Sequence, residues 1–143
     1  MNRYETEDAI AALVRSFEEC TVSREEWKHA EHLIVALYLV KKYGLNEAVA
    51  RMRSGLLALL RTHGVDLEKE MPYHETLTVF WMRTVYAYAL TRNGASLADM
   101  ADELVAAFDK DYPLRFYTRD RLFSDEARAG YIEPDQVDGI PTG

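Results

Sequence analysis

Three of the four histidines in the chain fall in two short stretches. In "EEWKHAEHL", residues 25–33, Glu26, His29 and His32 follow one another at three-residue intervals. In "PYHETLT", residues 72–78, His74 and Glu75 are adjacent and Thr78 follows four residues after the histidine. Neutral imidazoles three or four residues apart on one helical face can bind a single divalent ion, and an imidazole and a carboxylate from a facing helix would complete its shell. The set is then His29, His32, His74 and Glu26, suited to zinc, iron, manganese or nickel. A metal-activated water attacking a small molecule would give hydrolytic or lyase-type chemistry. Without a metal, His74 and Glu75 are a catalytic pair able to do general acid–base work. Trp27, Thr78 and Trp81 would wall such a site and contact a small-molecule substrate.

A third reading uses the same residues differently. Buried histidines are commonly satisfied by a carbonyl or carboxylate, and helix N-termini favour glutamate for capping and dipole reasons. The cluster would then fix helix register in a non-enzymatic binding or assembly module. Residue types and spacing alone leave all three readings open. Glu-x-x-His facing inward is half of the pattern of a di-iron carboxylate bundle. The first and third helices offer no matching inward glutamate, so a single-metal site is the economical version.

The elements that must position these residues are helical, because apolar residues recur every three and four positions throughout. Ala9, Ile10, Leu13, Val14 and Phe17 form one stripe, predicting a helix over about 6–19. Ser23 followed by Glu26 is a capping box, which starts a second helix running to Tyr43, with Gly44 as its stop. In that helix Glu26 and His29 fall on the apolar stripe, His32 on its edge, and Glu31, Lys28 and Val35 outward. Asn46 caps a third helix, with Val49, Met52, Leu56, Leu59 and Leu60 inward and Gly64 past its end. His63, at the C-terminal end of that helix, reads as a structural cation for the dipole. Pro72 opens a fourth helix over about His74 to Arg92, with Asn93-Gly94 after it. Ser96 with Asp99 opens a fifth through Phe108.

Short connections make this an all-α, up-down bundle of four to five helices, with the core over about 6–112 and an irregular C-terminal extension over 113–143 that wraps it through Phe116, Leu122, Phe123 and Tyr131. The second and fourth helices would run parallel, placing both histidine clusters at one end. At 143 residues the chain is one domain. Leu and Val faces left uncovered by the bundle would pair it into a homodimer.

A formal charge of −7 repels a phosphate backbone, and no basic stripe with interleaved aromatics offsets it, so neither nucleic acid nor an anionic membrane is an expected partner. The longest apolar run, "LIVALYLV", spans residues 33–40 and is too short to cross a bilayer. Cys20 is the single cysteine, which excludes an intrachain disulfide and a thiolate cluster and suits a cytoplasmic setting. A nucleophilic Cys20 would need a nearby imidazole.

"EWKHAEHL", "YHETLTVFW" and "YTRDRLFSDEARAGYIEPD" together resemble a family of small, uncharacterised bacterial helical proteins with W-x-H-x-x-H-L and Y-H-E-T motifs and an S-x-E-A-R…P-D tail. The resemblance spans about residues 20–135. It implies a helical domain with Trp27, His29, His32, Leu33, Tyr73, His74, Glu75 and Thr76 in characteristic positions, and it implies no particular activity.

Overall fold

The structure is a computed structural model that describes residues 4–65, 73–92 and 94–136, and all regular secondary structure among them is helical. Helix α1 spans Glu7–Glu18. The Thr6 hydroxyl caps it by accepting the Ala9 N–H at 3.1 Å, and Ile10, Leu13, Val14 and Phe17 form its buried stripe. It ends in a Schellman closure, with the Thr21 N–H donating to Ser16 O and the Cys20 N–H to Phe17 O, while Cys20 takes the left-handed φ of 59° usually left to glycine.

Helix α2 does not start where the capping box predicts. Ser23 and Glu26 do make their reciprocal bonds, each 3.2 Å long, but these close an isolated turn. The chain extends at Lys28, and α2 runs His29–Tyr43. Two interactions favour the later start. The Trp27 ring stacks on Phe17 at 5.0 Å, and Glu31 acts as a competing cap by accepting the Lys28 N–H at 3.1 Å. Glu31 and Val35, expected outward, are buried: α1 lies beside that face of α2, and the second oxygen of Glu31 accepts the Tyr4 hydroxyl at 2.8 Å. A helix apolar around its circumference belongs inside a bundle, and α2 packs against all four of the other long helices.

Helix α3 spans Leu45–Thr62. Gly44, at φ 79°, both ends α2 and starts α3, so the corner takes one residue and the expected Asn46 cap is not used. Ala48, Met52 and Leu59 are buried, Val49, Leu56 and Leu60 are half-buried, and Gly64 closes the C-terminus as predicted. Helix α4 spans Glu75–Leu90 with His74 as its cap, and α5 spans Leu97–Ala107 with the Ser96 hydroxyl accepting the Asp99 N–H. The expected contributions of Pro72 and Asn93 lie outside the described residues.

A 3₁₀ turn over Tyr112–Arg115 leads to two short helices, α6 at Arg119–Leu122 and α7 at Asp125–Ala129. Phe116, Tyr117 and Leu122 build a second, smaller core against Leu77 and Phe80 of α4. Polar bonds tie this C-terminal segment down. The Thr76 hydroxyl donates to Gly130 O and accepts the Ile132 N–H, Tyr117 donates to Ile132 O at 2.7 Å, and the Asp135 carboxylate accepts the backbone N–H and the hydroxyl of Thr118. Of the four residues expected to wrap the bundle, Phe123 is 44% exposed. Among the described residues only it and Leu90 are large exposed apolar side chains. No helix of the described residues is long and apolar enough to cross a membrane.

Candidate functional site

His74, His29 and His63 are each committed to a backbone carbonyl far away in sequence. His74 Nδ1 accepts the Leu77 N–H at 3.1 Å, which puts the ring proton on Nε2, and Nε2 donates to Leu122 O at 2.6 Å. One imidazole thus caps α4 and holds the end of α6, and burial lowers its pKa. His29 Nε2 donates to Phe108 O at 2.8 Å, joining the start of α2 to the end of α5, and its ring packs edge-on against Trp81 at 4.9 Å. His63 Nε2 donates to Val22 O at 3.0 Å, in keeping with its structural reading.

The expected convergence of His29, His32, His74 and Glu26 does not occur. Among the described residues no three His, Cys, Asp or Glu side chains come together as a metal-ligand set. The reason lies in helix register. His29, at the start of α2, meets Trp81, which stands seven residues beyond His74 along α4, roughly 10 Å of helical rise. His74 turns instead toward the C-terminal segment. Glu26 sits in the isolated turn before α2 and is exposed, because the break at Lys28 removes it from the helical stripe.

His32 differs from the other histidines. Its Nε2 is buried and has no hydrogen-bond partner among the described residues, and its ring lies 6.1 Å from Trp27. Burial, reinforced by neighbouring His29, depresses its pKa to about 4. It is therefore neutral near pH 7.

The pair expected to be catalytic, His74 and Glu75, is also occupied. Glu75 forms a two-point ion pair with Arg53 of α3, Nε to Oε1 at 2.9 Å and Nη2 to Oε2 at 2.5 Å, and also accepts the Tyr73 hydroxyl at 2.6 Å. Arg53 holds its carboxyl below the usual carboxylate range, which makes it a weak base. Thr78, buried, donates back to His74 O within α4. Trp27 belongs to the stack on Phe17, and Trp81 is buried behind Phe80 and Tyr112. Each of the three residues expected to contact substrate is thus taken up by packing or by a backbone bond.

A concave feature with aromatic walls lies elsewhere, along the outer side of α4 where the end of α5 and the C-terminal segment meet it. It is an open groove of about 530 Å³ walled by Phe80, Tyr88, Phe108, Tyr112, Phe116 and Tyr131. The rings form a nearly continuous surface: Tyr88 to Phe108 at 6.3 Å, Phe108 to Tyr112 at 4.9 Å, Tyr112 to Phe116 at 5.2 Å, and Phe116 to Phe80 at 5.3 Å. Arg83 and the hydroxyl-bearing Thr84 and Thr91 supply its polar groups. The guanidinium of Arg83 lies over the Tyr131 ring at 4.6 Å. A sequence signal for this groove existed in the four-residue spacing of Phe108, Tyr112 and Phe116 and of Phe80, Thr84 and Tyr88. What the spacing does not disclose is that two segments separated in sequence present these sets to each other.

No protein-family model, curated protein or solved structure matches this chain.

Proposed function

We propose that the protein is a non-enzymatic small-molecule binding module in which His29, His63 and His74 serve as structural clamps and the ligand site is the aromatic groove on α4. The observation that carries this reading is the groove itself, since its size and its apolar walls with a few polar groups are what small organic ligands require. The clamps support it. The His29 bond ends on the carbonyl of Phe108, a groove residue, and the C-terminal segment that supplies Phe116 and Tyr131 is held near its middle by the His74 bond to Leu122. Of the motif residues, His29, His74, Glu75 and Thr76 make hydrogen bonds that join distant parts of the fold, and Trp27 packs on Phe17 of α1, which suits a motif that defines a scaffold.

Screening ring-containing fragments by protein NMR tests this reading. Hits should shift signals of Phe80, Phe108, Tyr112 and Phe116, and should be lost in Ala87→Trp, which fills the groove from an exposed helical position. A screen whose hits ignore the groove, or bind Ala87→Trp unchanged, would refute it.

A further inference from the structure

We infer that the groove selects planar aromatic carboxylates, with the ligand carboxylate on the edge of Arg83 and its ring system against Phe108 and Tyr112. This rests on the groove being the binding site proposed above, and it adds the chemical class of the ligand.

Charge is the first argument. The chain carries a net −7, yet the charged side chain lining the groove is a cation. Helix α4 has no acidic residue after Glu75, so no carboxylate stands three or four residues from Arg83. Among the described residues Arg83 makes no ion pair and no hydrogen bond. Glu103, which the groove residue Tyr88 reaches through its hydroxyl at 2.7 Å, is already engaged by Arg92 at 2.5 Å. An anion entering the groove therefore meets one unneutralised guanidinium.

Geometry is the second. A guanidinium stacked face-on against a ring keeps its N–H groups at the edge, where a carboxylate can accept two parallel bonds. The Arg83 guanidinium lies over the Tyr131 ring at 4.6 Å before any ligand arrives, and this contact restricts it and lowers the ordering cost of binding. A single guanidinium matches a monoanion better than a phosphate, which would want further donors. The aromatic preference follows from the walls, since Phe108, Tyr112 and Phe116 pack edge-on to one another with centroids 4.9 and 5.2 Å apart and offer ring edges and faces to a further aromatic ring.

The test uses three probes with one ring system: 2-naphthoate, 2-naphthylmethanol and 2-naphthylmethylamine. Each is titrated into the wild type and into Arg83→Gln and Arg83→Lys, with the melting temperature of each variant recorded as a folding control. Naphthoate should bind the wild type roughly tenfold more tightly than the alcohol, and the amine least tightly. Arg83→Gln should erase the preference for naphthoate over the alcohol, and Arg83→Lys should retain part of it. Equal binding of naphthoate and alcohol, tighter binding of the amine, or a preference that survives Arg83→Gln would overturn the inference while leaving the groove as a binding site. Failure of all three probes to bind would remove both.

Discussion

His29 Nε2 lies 2.8 Å from the carbonyl oxygen of Phe108, 79 positions away, and the ring of that same Phe108 forms part of the groove wall. One bond thus closes α2 against α5 and sets the depth at which an aromatic side chain meets α4. The His74 bond to Leu122 does the matching work at the other end, pinning the C-terminal segment to the cap of α4. His74 spends both ring nitrogens on the fold and His29 its Nε2.

Removing Glu31 should cost more than removing any surface carboxylate. It is buried, caps α2 through the Lys28 N–H and accepts the Tyr4 hydroxyl, so Glu31→Ala leaves two donors without their acceptor. We expect a loss of about 1–3 kcal/mol in urea unfolding. Tyr4→Phe, which removes only one of those bonds, should cost about 1 kcal/mol.

Gly55 faces the Phe17 ring so closely that an added Cβ would overlap it. Because Phe17 in turn carries Trp27, the ring cannot retreat without disturbing the turn before α2. Gly55→Ala should therefore destabilise by about 1–3 kcal/mol despite its better helix propensity, with a change in the Trp27 fluorescence environment.

Acid should weaken the fold well above the range where carboxylates titrate. His32 stays neutral down to about pH 4 in the folded protein, whereas the unfolded chain takes up that proton near 6.5. Between those values the unfolded state binds more protons, so stability is full above 6.5 and falls as pH drops toward 4. The loss is on the order of 3 kcal/mol for His32, and His74 shifts in the same direction. Chemical unfolding at a series of pH values should show this slope, and His32→Leu should remove most of it.

The Thr76 hydroxyl is fully buried and bonds both Gly130 O and the Ile132 N–H. Thr76→Val keeps the shape and removes both bonds, so the Ile132 amide should lose hydrogen-exchange protection while α2 and α3 keep theirs.

Helix content, the Ser96 cap and the stops at Gly44 and Gly64 were legible in the sequence, since the period of Ile10, Leu13, Val14 and Phe17 and these caps are local signals. The start of α2 was not. Ser23-Glu26 and Lys28-Glu31 are both valid caps, and the choice depends on Trp27 reaching Phe17, a contact between helices. Once the helix breaks at Lys28, the face assigned to Glu26 no longer exists. The histidines were correctly placed at helix starts, but their partners were invisible because each accepting carbonyl belongs to a loop or a helix end distant in sequence. The groove escaped for the same reason.

The most direct test of the histidines as clamps is the thermal unfolding of His29→Ala and His74→Ala beside the wild type at pH 7.5. Each substitution strands a backbone carbonyl and removes a packed ring, and His74→Ala also uncaps α4. The expected result is a midpoint lowered by roughly 5 °C or more in both variants. Midpoints within about 1 °C of the wild type in both would contradict it, because side chains that can be removed at no cost to the fold are not what holds it together.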